Sequence, residues 1–292
     1  MRVGVIGASG FIGKVILKQL QQHQLTAIPF SRTPRKEWRL WSDTPDLSHL
    51  DAIINLAGLP VDKPWTPEYK QALITSRVDQ TRTLVNAIAN LPADQRPRTL
   101  INTSAVGIYG SRDNEVLTEN SSHRETFLGK LCIDWEAEAL KAQELGLRVA
   151  TPRVGLVLGR GGSAFERMLR VFRLGLGGNL GNGQQWMPWI HIEDMAGIYL
   201  HALLNDQVSG AINGVAAETC TNQDFTKALG NAVNRPTAFP APKFALKIAF
   251  DEFADVILAS QRIQPEVALN TGYQFQYPTI QKALHHLCLS KG

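Results

Sequence analysis

The run Gly7-Ala8-Ser9-Gly10-Phe11-Ile12-Gly13 lies between an apolar strand, Arg2-Val3-Gly4-Val5-Ile6, and a helical pattern from Phe11 to His23. A strand that turns through glycines into a helix constrains this chain more than any other feature. One glycine permits the tight turn, a second lets backbone approach a pyrophosphate, and a third allows helix and strand to pack closely. The unpaired N–H groups and the dipole at the helix start then face negative charge. Glycine is common in any turn, so the reading rests on strand, spacing and helix agreeing. Together they indicate a dinucleotide-binding turn at the first strand of a parallel sheet.

The following residues continue the alternation of short apolar strands and amphipathic helices expected of a sheet covered on both faces. Leu25 to Phe30 and Ala52-Ile53-Ile54-Asn55 read as strands, with an irregular, Trp-rich stretch from Ser31 to His49 between them. Ile74, Val78, Val85 and Ile88 recur at helical spacing and predict one long helix. Thr99-Leu100-Ile101 opens another strand, Phe127 to Leu145 a helix, and Leu147 to Pro152 a further strand. After Gly159 the run Gly175-Leu176-Gly177-Gly178-Asn179-Leu180-Gly181-Asn182-Gly183 is too glycine-rich for regular structure. Glu193 to Leu204 and Asn222 to Val233 read as helices, with Asn222 as N-cap. The expected architecture is an α/β, Rossmann-type, doubly wound parallel sheet with a smaller, mostly helical C-terminal lobe. Residues 1–160 would form the dinucleotide-binding core, and 161–292 a discontinuous substrate lobe with a helical tail from about 240.

Composition narrows the function. Thirty Lys and Arg against 26 Asp and Glu give a net charge of +4, with the cations scattered, so nucleic acid is not an expected partner. Cys132, Cys220 and Cys288 are far apart and form neither a metal-ligand spacing nor a disulfide framework. With the first strand starting at residue 2 and no apolar run of membrane length, a soluble cytoplasmic protein is expected. Oligomeric state is not legible.

The end of the second strand points to the cofactor. A site for NAD usually places a carboxylate there for the ribose 2′-hydroxyl. This chain has Ser31-Arg32, with Arg35 and Lys36 behind and no acid before Glu37. A guanidinium there can clamp a 2′-phosphate with paired charge-assisted hydrogen bonds, which favours NADP(H).

These residues, with Asn55-Leu56-Ala57-Gly58 and Thr103-Ser104 leading to Tyr109-Gly110, resemble the extended short-chain dehydrogenase/reductase superfamily. Ser76-Arg77-Val78, Trp135-Glu136-Ala137, Arg153 to Gly159, Leu174 to Gly178, Trp189-Ile190-His191-Ile192 and Ala259-Ser260-Gln261-Arg262 narrow the resemblance. They are similar to its atypical epimerase family proteins, which carry a C-terminal domain of unknown function. The resemblance implies that Gly7, Ser9, Gly10, Phe11, Ile12 and Gly13 hold the pyrophosphate and that Ser31 and Arg32 meet the 2′-phosphate. It further implies Leu56, Ala57 and Gly58 beside adenine and ribose, Arg77 and Ser104 reaching the cofactor, and Val157 near the nicotinamide. Taken alone, Arg77 reads as a surface arginine. Some relatives are described as cell- or plastid-division factors, so a protein partner in division machinery accompanies the resemblance.

Hydride transfer at a carbonyl needs a proton donor or acceptor. The superfamily uses a Tyr whose pKa is lowered by a Lys four residues later, with a Ser or Thr on the substrate oxygen. Ser104 stands where that Ser is expected, but Leu128 and Cys132 occupy the Tyr and Lys positions. Tyr109 is the substitute candidate, although its Tyr-Gly pair also reads as a structural turn. His191 reads either as an acid or base in a cleft or as a satisfied histidine at a strand-to-helix junction. Trp186 and Trp189 read as either pocket floor or core. Two functions fit: an NADP(H)-dependent oxidoreductase or epimerase-like protein acting on an unidentified small molecule, or a cofactor-binding regulator with little turnover.

Overall fold

The computed structural model describes residues 1–289. The chain opens with β1 (Arg2–Ile6), α1 (Phe11–Gln22), β2 (Thr26–Ser31), β3 (Arg39–Leu40) and β4 (Ala52–Asn55). Then come α2 (Pro67–Ile74), α3 (Gln80–Ala89), β5 (Thr99–Asn102), β6 (Ser104–Ala105), β7 (Val116–Leu117) and α4 (Phe127–Leu140). The middle third holds β8 (Arg148–Val154), β9 (Leu156–Leu158), α5 (Ser163–Arg173), β10 (Trp186–Met187), β11 (Trp189–His191) and α6 (Ile192–Leu204). The rest comprises β12 (Gly210–Gly214), β13 (Cys220–Thr221), α7 (Asn222–Val233), α8 (Lys243–Phe250) and α9 (Phe253–Ile257). It ends with β14 (Arg262–Ile263), α10 (Glu266–Asn270) and α11 (Ile280–Leu289).

The main sheet is parallel, in the order β12-β8-β5-β4-β1-β2-β3, with β6 also paired to β8. The chain builds outward from β1 to β3, then crosses back to place β4 on the other side of β1. That reversal makes the β1/β4 boundary the switch point at which open α/β sheets leave a crevice. β4 and β5 are buried along their whole length, as strands covered on both faces must be. On one face, Ile16 and Leu20 of α1 pack with Met195, Ile198 and Tyr199 of α6. On the other, Leu84, Val85 and Ile88 of α3 pack with Ala139 of α4. A separate core unites Phe165 and Leu169 of α5, Phe225 and Leu229 of α7, and Ile280 and Leu284 of α11.

Three expectations are revised. The sheet is not complete by residue 160, because β12 pairs in register with β8 and α6 covers α1. The helix predicted around Ile74 and Val78 is interrupted by a wide π-helical turn at Thr75–Asp79. The N-cap of α7 is Thr221 rather than Asn222. Thr221 accepts the Asp224 N–H at 3.2 Å, while the Asp224 carboxylate accepts the Thr221 N–H at 3.0 Å. Asn222 is used elsewhere, accepting the Leu180 N–H at 2.8 Å and pinning the glycine-rich run.

Candidate functional site

The glycine turn sits at the carboxyl end of β1, at the switch point. Gly7 has φ +81°, and a Cβ there would lie 3.0 Å from the Leu56 carbonyl. Gly13 is more constrained: its Cβ would lie 2.5 Å from the Gly7 carbonyl oxygen and 2.8 Å from the Ala8 Cα. Gly10 differs, with φ −72° and only the Gly7 oxygen near its Cβ position, at 3.1 Å. Space thus remains over Gly10, on the exposed side of the turn. The first turn of α1 has neither a side-chain cap nor an acidic residue, so its N–H groups face outward with the helix dipole.

Flanking loops are fixed by buried polar groups. Asn55 accepts the Ala57 N–H at 3.1 Å and donates to Asn102 at 2.7 Å, which shapes Leu56-Ala57-Gly58 beside the glycine turn. Arg77 falls within the π-helical turn, a distortion frequent at functional sites. Its guanidinium lies over Gly58, donates to the Leu59 carbonyl at 2.8 Å and stacks on Trp135 at 5.3 Å. Burial holds its pKa below the ordinary arginine value, and it has no carboxylate in ion-pair distance among the described residues. Ser31 ends β2, and Arg32 after it is exposed. Val157 is half-buried in β9, paired with Ile190. The carboxyl edge across β2, β1, β4, β5 and β8 thus carries Arg32, the glycine turn, Leu56 and Ser104, and Val157 follows in β9, off the main sheet and paired with β11. Four inter-strand spacings make that edge about 19 Å long.

The candidates for acid–base chemistry are placed differently. Ser104 is 1% exposed and donates to Glu136 at 2.6 Å. Glu136 holds Arg153 through two hydrogen bonds of 2.9 Å, a fully buried pair between α4 and β8. Arg153 in turn donates to the Tyr109 hydroxyl at 2.7 Å, and Tyr109 donates to Asn213 at 2.7 Å. Tyr109 therefore does have a neighbouring cation, which sequence spacing alone missed. Even so, burial outweighs the pull of Arg153 and raises the phenol to about 12. As proton-transfer groups, Ser104 and Tyr109 need correcting: both are sealed inside a structural network. The usual Tyr and Lys positions hold Leu128, which packs over Gly107, and Cys132, whose buried thiol is pushed up to about 12.

Of the two readings of His191, the acid–base role is set aside and the satisfied histidine at a strand-to-helix junction is the one observed. It caps α6, with Nδ1 accepting the Glu193 N–H at 3.1 Å and Nε2 3.1 Å from His286. Its ring stacks on Tyr277 at 3.8 Å. Burial and the neighbouring His286 lower its pKa to about 3, so it stays neutral at working pH. A consequence for stability follows. Between about pH 6.5 and pH 3 the unfolded chain protonates this histidine and the folded chain does not, so stability falls as pH falls through that window. One such proton contributes a slope of about 1.4 kcal/mol per pH unit. Urea unfolding at pH 7 and pH 5 should show His191→Gln losing less stability on acidification than wild type.

Of the tryptophans, Trp189 is core at 1% exposure, whereas Trp186 is half-buried and donates to Asn114 at 2.8 Å. Beyond β4 the crevice wall is apolar, with Leu59, Val61, Trp65, Phe127 and Leu128 gathered in one cluster. Trp65 also meets Phe253 of α9 at 5.9 Å, and Lys70 pairs with Glu252 at 2.6 Å. No helix among the described residues is long and apolar enough to cross a membrane, and none of their side chains form a metal-binding cluster.

Comparison with known proteins agrees with this architecture. Residues 3–213 match the NAD dependent epimerase/dehydratase family, and residues 241–287 match a domain of unknown function, DUF1731. An Arabidopsis thaliana protein, "Epimerase family protein SDR39U1 homolog, chloroplastic", is 36% identical over 97% of this chain and 86% of its own length. The Bos taurus "Epimerase family protein SDR39U1" is 38% identical over 97% of this chain and 98% of its own. The crystal structure of human epimerase family protein SDR39U1 (isoform 2) with NADPH superposes with a TM-score of 0.91, at 33% identity. That match covers 99% of both chains. With the turn, sheet order and sequence in agreement, the chain belongs to the NAD dependent epimerase/dehydratase family.

Proposed function

We propose that the chain binds NADP(H) along the edge from Arg32 towards Val157 and acts as an oxidoreductase or epimerase-like protein on a small molecule. One observation carries the cofactor reading: an open glycine turn at the switch point, flanked by exposed Arg32 where a carboxylate would select NAD. Two features add support. The Arg77 guanidinium beside Gly58 has no counter-charge among the described residues, and human SDR39U1 was solved with NADPH. In this reading Gly7, Ser9, Gly10, Phe11, Ile12 and Gly13 cradle the pyrophosphate, Ser31 and Arg32 bind the 2′-phosphate, and Leu56, Ala57 and Gly58 flank the adenosine. Bound cofactor would supply a hydride at its nicotinamide ring. The chain would orient it at Val157 and exclude water with Leu59, Trp65 and Leu128. Ser104 and Tyr109, buried and hydrogen-bonded, would hold in place the loop that follows β5.

A second reading, a regulator with little turnover, draws on the engagement of Ser104, Tyr109 and His191 in buried contacts. Any role in cell or plastid division would belong to that reading. Titration of NADPH and NADH tests the cofactor assignment. NADPH should bind more tightly, and Arg32→Ala should remove about 1.5–3 kcal/mol of that preference, roughly ten- to 150-fold. Equal affinities in the wild type would sink it. A panel of carbonyl substrates, followed by NADPH absorbance, separates the two functions. Turnover lost in Tyr109→Phe at unchanged stability would return Tyr109 to the chemistry, while tight NADPH binding without any turnover favours the regulator.

A further inference from the structure

Arg262 is the exception among the buried and half-buried arginines. Arg39, Arg77, Arg96, Arg112, Arg148 and Arg153 each donate to carbonyls or carboxylates. Arg262 makes no side-chain hydrogen bond among the described residues, and its Nε is buried without an acceptor. Arg262 is half-buried: only its Nε is cut off from water without an acceptor, and the two terminal nitrogens of the fork are the donors open to a partner.

The mounting of this arginine is rigid. Gln261, beside it, donates to the carbonyls of Val106 and Gly110 at 2.9 Å each, and its own N–H meets the Trp186 carbonyl at 3.1 Å. Ser260 donates to the Asp113 carbonyl at 2.6 Å. β14 thus lies across the loop that leaves the carboxyl end of β6 and pairs with β7. Gln261 and Ile263 are buried towards that loop, so alternation along the strand turns Arg262 the other way, onto Trp186. The guanidinium lies 4.6 Å from the Trp186 ring centroid, and Trp186 is held by Asn114. Stacking fixes the plane of the fork and leaves its donor edge free for a planar or tetrahedral anion.

We infer that Arg262, stacked on Trp186, is a binding site for an anionic group of the substrate, a carboxylate or a phosphate. This rests on the crevice being a substrate site, as proposed above, and makes that substrate an anion. The cofactor phosphates are assigned elsewhere, along β1 and β2, so the two sites separate by mutation.

The test titrates inorganic phosphate, and in parallel acetate, into NADPH-saturated wild type, Arg262→Met and Arg262→Lys. The wild type should bind one of the two anions, Arg262→Met should weaken it at least about tenfold, and Arg262→Lys should recover part of the loss. Preference for phosphate or acetate tells which anion the fork takes. NADPH affinity should be the same in all three proteins. Arg262→Met should also melt close to wild type, because the methionine still covers the Trp186 ring while the buried, unpartnered Nε is removed. Neither anion binding the wild type, equal binding in wild type and Arg262→Met, or a clearly lowered melting temperature in Arg262→Met would each overturn the assignment. Should the wild type not bind NADPH, the cofactor reading fails instead. The anion titration on Arg32→Ala protein without cofactor, with and without Arg262→Met, still decides this one.

Discussion

Gly10→Val should abolish NADPH binding, weakening it by two orders of magnitude or more (about 2.7 kcal/mol) while leaving the melting temperature near that of wild type. Gly13→Val should lose both the fold of the turn and the binding. The two glycines lie three residues apart but meet different surroundings. At Gly10 the backbone is ordinary, φ −72°, and a Cβ would touch only one carbonyl oxygen at 3.1 Å. The rest of the added side chain projects over the turn, where the pyrophosphate must approach. At Gly13 the Cβ would strike backbone atoms of Gly7 and Ala8 at 2.5 and 2.8 Å, so the loop itself must break. Calorimetric titration with NADPH, alongside thermal melts, separates the outcomes. A well-folded Gly10→Val protein that binds NADPH as tightly as wild type would place the phosphate site elsewhere.

How far the chain could be read in advance follows from the range of each interaction. The glycine turn, β1, β4 and α6 are local patterns, and their bounds in the structure fall within a residue or two of those predicted. The sheet beyond residue 160 was not legible. β12 contributes Gly210-Ala211-Ile212-Asn213-Gly214, whose glycine ends and single large apolar residue give no strand signal. The π-helical turn at Arg77 was hidden too, since Ile74, Val78, Val85 and Ile88 fit an unbroken helix equally well. For Tyr109 the sequence left a catalytic and a structural reading open, and its cation was not visible because Arg153 arrives from a neighbouring strand, 44 residues away in sequence. Single charged residues default to solvent-facing in any sequence reading, and so Glu136, Arg153 and Arg262 carried no signal of their own beyond the family resemblance.

The largest effect on stability should come from the buried pair. Glu136→Gln keeps the shape of the side chain but leaves Arg153 charged, 4% exposed and without a counter-ion. Breaking one partner of a buried ion pair costs about 3–5 kcal/mol. Replacing both, as Glu136→Leu with Arg153→Met, removes the charges together and should cost much less, since buried pairs are often no better than apolar packing. Tyr109→Phe should cost only about 1 kcal/mol, because Arg153 keeps Glu136 and the Glu119 carbonyl at 3.0 Å. Urea unfolding of the three proteins gives these differences directly. A Glu136→Gln protein within 1 kcal/mol of wild type would show that water reaches the pair, and Tyr109 would then be open to the crevice after all. If the expected order holds, Ser104→Ala becomes the informative variant for function. Ser104 donates to this same glutamate, so losing it disturbs the network by a single hydrogen bond. A change in turnover or cofactor affinity larger than that small loss of stability would mean that the network positions the crevice as well as supporting the fold.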